Sequence, residues 1–305
     1  MTTKPFKRKP TISTKTTAKK VVNNPFNRQL SVKPIEGTTS VKSQVIEELF
    51  RICRAKRNYR FHNDLVKEVS ACLGFGNPFD VTKLDNKSKL PQLLVDNDYA
   101  IVHLGSGEHM FVKGINNFYH DFEPIKTTIR WEYRKSILNQ FDTSESNILS
   151  VANNQRILHH FLFGKDTELD DVEIIKRPKT YFPHRTKTSF EYTIGGVHKI
   201  KLENIQIEID LTIEYQGIVG VFEAKNGKPD NFSVYQLYHP FLYFYNANKD
   251  KTVNGQIKKI YGVYLVREKH ADGDILKLWA YTFTRPTDIT SIKFVKSAAY
   301  KLITR

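Results

Sequence analysis

Ile205-Gln206-Ile207-Glu208-Ile209-Asp210-Leu211-Thr212-Ile213-Glu214-Tyr215-Gln216-Gly217-Ile218-Val219-Gly220-Val221-Phe222-Glu223-Ala224-Lys225 is the stretch that decides how the chain is read. Its first half alternates strictly. Ile205, Ile207, Ile209, Leu211 and Ile213 fall on one side, and Gln206, Glu208, Asp210, Thr212 and Glu214 on the other. A period of two over that length is a half-buried strand. Gln216-Gly217 is the only turn signal before the next β-rich run, so the two runs are expected to form a hairpin. A loop centred on those two residues sets Tyr215 against Ile218. The register then continues with Leu211 opposite Phe222, Asp210 opposite Glu223, Ile209 opposite Ala224 and Glu208 opposite Lys225. Opposed residues of an antiparallel pair leave the sheet on one face, with Cβ atoms about 5 Å apart. Two carboxylates and a lysine are therefore expected to meet on a charged front, over an apolar back.

Like charges facing each other destabilise a sheet, and a divalent cation supplies a reason to tolerate them. Mg²⁺ takes oxygen ligands, keeps several waters and is often held by one or two carboxylates together with phosphate oxygens. A water bound to such a metal is acidified and can attack a phosphodiester. A lysine beside it can orient that water or balance charge growing on the phosphate. The plainer reading of Glu223 and Lys225 is an exposed strand with a salt bridge, an arrangement worth little. Glu208 can pair with Lys225 and orient it, or serve as an extra ligand.

Asp210 followed by Glu223-Ala224-Lys225 across a hairpin resembles the PD-(D/E)XK nuclease superfamily. The first motif there normally reads Pro-Asp, whereas this chain has Ile209-Asp210. The second motif matches in full, preceded by apolar Val219, Val221 and Phe222. The resemblance spans roughly residues 130–270 and implies a restriction endonuclease-like core, a mixed sheet flanked by helices. It implies catalytic roles for Asp210, Glu223 and Lys225, with Mg²⁺ on Asp210 and Glu223. A helix before the hairpin often carries a further acid, which points to Glu145, and a helix after it often carries a glutamine, which points to Gln236. Their alternatives are a first-turn acid favoured by the helix dipole for Glu145 and an ordinary polar residue for Gln236. Asp85-Asn86-Lys87 is the only other acid-x-lysine triplet and has no strand flanks, so it is set aside. Pro229-Asp230 has no acid-x-lysine after it and reads as a helix cap.

Outward from this hairpin the chain divides into three parts. Residues 1–36 form a basic arm, expected to be disordered. Its first 35 residues hold Lys4, Lys7, Arg8, Lys9, Lys15, Lys19, Lys20, Arg28 and Lys33 and no acid. Residues 37–120 form a small domain. Val45, Ile46, Leu49, Phe50 and Cys53 follow helical spacing with Ser43 as N-cap. A second helix starts near Asn63, and a short one lies around Pro91–Val95. Two β-rich runs then meet at Gly105-Ser106-Gly107. That order resembles a winged helix-turn-helix, with His103 and His109 on the wing within reach of phosphate. The alternative is a structural or dimerising module. Residues 125–305 form the second domain. It opens with a long amphipathic helix from Ser144 to Phe163, followed by strands and a Pro/Arg/Lys-rich loop at Arg177–Lys187. Beyond the hairpin come an aromatic helix at Val234–Tyr245 and further strands at Ile257–Val266, Leu276–Thr284 and Ile292–Ala298. Helix, strands, helix, strands predicts an α/β domain, and a fragment starting near Pro124 is expected to fold alone. His159-His160 point about 100° apart on a helix and cannot readily chelate one ion.

The chain has 305 residues with 47 Lys+Arg against 32 Asp+Glu, a formal net charge of +15, which attracts polyanions. Cys53 and Cys72 cannot build a disulfide framework or a cysteine zinc site. No apolar run suggests a secretory signal or a membrane span, so a cytoplasmic, microbial setting without membrane contact is expected. Motifs for zinc proteases, P-loop motors and esterases are absent from the sequence. The expected activity is a site-specific double-stranded DNA endonuclease of the type II restriction kind, leaving 5′-phosphates. The resemblance implies a cognate DNA methyltransferase in the same system. The chemistry of two-strand cutting suggests a homodimer. The alternatives are a winged-helix DNA-binding regulator with a non-cleaving nuclease-like domain, or a repair or junction nuclease.

Overall fold

A computed structural model of the chain describes residues 40–134, 136–137, 144–164, 176–271 and 273–304. The basic arm lies outside the described residues. The first described helix, α1 (Val41–Ala55), buries Val45, Ile46, Leu49, Phe50 and Cys53, the stripe that its spacing predicts. Its cap is Ser40, not Ser43. The Ser40 hydroxyl accepts from the Ser43 backbone N–H at 3.2 Å, because the helix starts three residues earlier than the apolar stripe suggests. There follow β1 (Arg60–His62), α2 (Asn63–Cys72), α3 (Gln92–Asn97), β2 (Tyr99–Gly105) and β3 (Glu108–Lys113). The three strands form one sheet in the order β1-β3-β2. Strand β1 is too short to carry a period-two signal and was not expected.

The remainder comprises β4 (Tyr119–Asp121), β5 (Thr128–Tyr133), α4 (Glu145–Asn154), α5 (Ile157–Phe163), β6 (Lys179–Tyr181), β7 (His184–Ile194), β8 (His198–Ile209), β9 (Leu211–Tyr215), β10 (Ile218–Asn226), β11 (Asn231–Ser233), α6 (Tyr235–Lys249), β12 (Lys259–Glu268), β13 (Ile275–Phe283) and β14 (Ile292–Thr304). Seven strands form one sheet in the order β5-β14-β13-β12-β10-β9-β6. Strand β10 runs parallel to β12, and β14 parallel to β5, while the other neighbours are antiparallel. The fold is thus α/β with a mixed sheet flanked by helices. One face of the sheet packs Leu211, Ile213, Phe222 and Ala224 against Ile148, Leu149, Leu158 and Phe161 of α4 and α5. On the other, Val219 and Val221 join Tyr238, Phe241 and Leu242 of α6.

Three expectations need correction. The single helix expected from Ser144 to Phe163 is two helices, broken where Arg156 takes a left-handed conformation (φ 60°). The next helical core positions after Ala152 are Gln155 and Arg156, both polar, so the buried stripe cannot continue in phase. The loop expected at Arg177–Lys187 contains β6 and the start of β7. Asp230 does not cap α6, because β11 intervenes and Val234 occupies the cap position without a side-chain bond.

The core does not divide near Pro124. One continuous buried cluster holds Leu49, Phe50, Val66, Leu94 and Phe111 from the N-terminal part together with Phe190, Ile207, Val219, Tyr238 and Phe283. Strand β4 also pairs with β11 across the expected boundary. A fragment from Pro124 onward would keep the cluster against α4 and α5 but lose the N-terminal members of this shared one. The tip of the β2–β3 hairpin is closed off too. A Cβ on Gly105 (φ 92°) would overlap the backbone carbonyl of Glu203 on β8. His103 and His109 face each other across the two strands of that hairpin. Their Nδ1 atoms are 3.0 Å apart, and their Nε2 atoms meet the Thr82 carbonyl at 3.1 Å and Asn63 Oδ1 at 2.8 Å. Burial holds His109 at about 3 and also lowers His103, so both are neutral structural groups, not phosphate contacts.

Candidate active site

The turn Gln216-Gly217 has both residues at positive φ (52° and 81°), as a two-residue hairpin requires. Its register pairs Tyr215 with Ile218, Glu214 with Val219, Ile213 with Gly220, Thr212 with Val221 and Leu211 with Phe222. This is the register that the alternation predicts, but the ladder stops at Leu211. The chain bends at Asp210, and everything before it pairs with β7 instead. The β7–β8 ribbon was missed, although Gly195-Gly196 between two β-rich runs is a hairpin signal. Both glycines have positive φ, 63° and 73°.

The bend changes the surroundings of each acid. Ile209 pairs with His184, not Ala224. Glu208 does not reach Lys225. It is half exposed on the ribbon, where it meets Arg185 at 3.2 Å and Gln206 at 2.8 Å. Asp210 stays at the site through its side chain, and its Oδ2 accepts the Ala224 backbone N–H at 3.2 Å. The carboxylate thus takes a donor beyond the last ladder pair.

Glu223 and Lys225 are two apart on β10 and share a face. Lys225 Nζ lies 2.9 Å from Glu223 Oε1 and 3.1 Å from Glu145 Oε2. Gln236 Nε2 donates to the same Glu223 oxygen at 2.7 Å. Glu145 is in the first turn of α4, where Ser144 caps the helix, and Gln236 is in the first turn of α6. Two helices on opposite sides of the sheet thus converge with the bend and the strand. The structure brings Asp210, Glu223, Lys225, Glu145 and Gln236 together and leaves Glu208 out.

Burial dominates the electrostatics. It raises the Glu223 carboxyl to about 7, with Asp210 adding to the rise and Lys225 opposing it. Burial likewise raises Asp210, against the Ala224 N–H and Lys225. For Lys225 burial works against the charged form, but Glu223 and Glu145 outweigh it and hold the ammonium above the usual lysine value. The buried Gln236 Oε1 has no hydrogen-bond partner, which leaves one acceptor unsatisfied. Among the described residues no group of three or more His, Cys, Asp or Glu side chains stands in metal-ligating geometry.

Beside these residues opens a cleft of about 620 Å³. Its lining combines Glu145, Lys225 and Lys228 with Asp85, Ser88 and Lys89. The last three come from the segment whose acid-x-lysine triplet was set aside. Its lysines were visible in sequence, but a polar turn carries no periodic signal that could locate it against β10.

Fold and site together define an α/β protein with an acid–lysine cluster at the end of a mixed sheet. Residues 114–301 match the family model of a domain of unknown function (DUF6997), and the chain belongs to that family. Residues 43–111 match a second domain of unknown function (DUF6996). No curated protein and no solved structure matches the chain. Among the described residues no helix is long and apolar enough to cross a membrane.

Proposed function

We propose that this protein is a Mg²⁺-dependent endonuclease that cuts double-stranded DNA in the manner of type II restriction enzymes and leaves 5′-phosphates. The observation that carries the reading is the meeting of Asp210, Glu223 and Lys225 with Glu145 and Gln236, brought together from separate elements, with Lys225 and Glu145 lining the adjoining cleft. The donor set suits the metal: all-oxygen, with two carboxylates of raised proton affinity that a cation would relieve. Asp210 and Glu223 would hold it, and Mg²⁺ when bound supplies an acidified water and neutralises phosphate charge. Gln236 fixes the Glu223 carboxylate through its amide, and the Ala224 N–H fixes Asp210. Lys225 stands ready to orient the attacking water and to balance charge on the phosphate. Glu145 holds that ammonium at the cleft edge.

Helix, strand, helix, helix, strand, strand is also the order expected of a winged helix, and it supports assigning DNA selection to the N-terminal part. A homodimer suits two-strand cutting, and a partner methyltransferase would protect host DNA. The test is a Mg²⁺ titration of plasmid cleavage by the full chain, with Asp210→Ala in parallel. Metal-dependent linear product bearing 5′-phosphate ends is expected from the wild type alone. Equal cutting by both proteins, or none by either at any Mg²⁺ level, would sink the reading.

A further inference from the structure

We infer that the segment Asp85–Lys89 forms part of the wall of the cleavage cleft and contacts the phosphodiester backbone of the bound strand, with Lys89 and Lys228 both gripping it. The inference rests on the nuclease reading and adds substrate contacts that lie outside the acid–lysine motif.

The segment is anchored to β11. The Ser233 N–H donates to the Asp85 carbonyl at 2.8 Å, and the Lys87 N–H donates to Asn231 Oδ1 at 2.6 Å. Lys87 Nζ reaches Asn116 Oδ1 at 3.2 Å, so this lysine is committed to holding the turn. Inside the turn the Ser88 hydroxyl donates to Asn86 Oδ1 at 2.6 Å. The backbone is therefore fixed relative to the site, while the tip of Lys89 is left at the surface.

Lys89 meets only an exposed partner, Asp85 at 2.8 Å, with both side chains well solvated. Pairs of this kind are weak and exchange readily. A phosphate oxygen is a suitable replacement for the Asp85 carboxylate, since it accepts a charge-assisted hydrogen bond from an ammonium. Lys228 stands exposed in the lining of the same cleft, three residues beyond Lys225. The cleft volume falls within the range of ~300–1,000 Å³ usual for ligand sites. A strand lying in it would pass Lys225 and Glu145 as well as Lys89. The N-terminal part then supplies contacts at the point of cutting and not only at a remote recognition surface.

The test uses the full chain with Lys89→Ala, Lys228→Ala and the double variant, and DNA binding measured in Ca²⁺ over a range of salt. Lys199→Ala, on the β7–β8 ribbon outside the cleft, is the control. Each cleft variant is expected to weaken binding about 3- to 10-fold and to flatten the slope of log K against log salt by about one unit. Lys89→Arg should restore both. In Mg²⁺ the loss should appear in KM, with kcat largely kept, because neither lysine touches the reacting atoms. A purely structural role for the turn would lower the melting temperature without changing the salt slope, and that result would overturn the inference. Unchanged affinity and slope in the double variant, with cutting still abolished by Asp210→Ala, would remove the wall while leaving the nuclease reading intact. Failure of the wild type to bind DNA at low salt would remove both.

Discussion

Glu223 is nearly buried beside a second carboxylate, and it holds its proton up to about pH 7 in the folded chain, against an ordinary value of 4.5. Between those two values the folded state binds more protons than the unfolded one, so stability falls as pH rises and levels off above about 7. The ceiling on that loss is on the order of 3 kcal/mol. Urea unfolding at pH 5 and pH 8 is expected to show wild type losing stability across this window and Glu223→Gln losing distinctly less. Parallel profiles for the two proteins would place the titrating group elsewhere. Metal binding needs the ionised carboxylate, so Mg²⁺ affinity is expected to weaken as pH falls below 7. Lys225→Ala and Asp210→Ala should differ in kind. The first removes charge at the attacked phosphate and should cut the rate by roughly 10²–10³-fold while binding metal nearly as well. The second removes a ligand and should weaken metal binding and cleavage together. Titration calorimetry with Ca²⁺ beside a cleavage assay separates the two. Near wild-type cutting by Lys225→Ala would reduce the hairpin to an ordinary charged strand pair.

Elements explain which parts of this site were legible in the sequence. Alternation and a two-residue turn specify register strongly, and so the pairing from Tyr215–Ile218 to Leu211–Phe222 could be written down in advance. The bend at Asp210 could not, because apolar residues keep their period of two straight through it. Ile205, Ile207 and Ile209 serve one core and Leu211 and Ile213 another, so a single unbroken pattern hides a change of partner. For that reason Glu208, which the pattern sets beside Lys225, lies on the ribbon. Glu145 and Gln236 came from family likeness, since nothing local marks a first-turn acid or a glutamine as reaching toward a strand. The ribbon also fixes the β2–β3 hairpin by close approach at Gly105. Gly105→Ala is expected to destabilise by about 2–4 kcal/mol, combining an unfavourable φ with backbone overlap. Gly74→Ala, also at positive φ but with open space around it, should cost about 1 kcal/mol. Chemical denaturation of both variants checks this, and equal losses would mean that the hairpin tip is not packed on β8.

At the scale of the whole molecule the two family matches meet between residues 111 and 114, yet the buried cluster runs across that point without a gap. A chain beginning at Pro124 is expected to show molten behaviour, with strong dye binding and little cooperative unfolding, because the N-terminal members of the cluster that holds Phe190, Ile207 and Tyr238 would be gone. Sharp thermal unfolding of that fragment would show that the shared core is dispensable. The nine lysines and arginines in residues 1–35 should add affinity for any DNA. Deleting residues 1–36 is expected to flatten the salt dependence of binding without changing which sequence is cut. An altered cutting pattern would mean that the arm reads bases. Asp210 has a further consequence, for it sits at the seam where one strand passes from the first core to the second. Two cores meet at that carboxylate, since β8 belongs to the cluster that includes the N-terminal helices and β9 to the one that includes α4 and α5. A chain with either core unformed would carry every residue of the acid–lysine cluster yet lack the bend that sets Asp210 against the Ala224 N–H. On the nuclease reading proposed for this chain, cutting would therefore depend on both cores being folded.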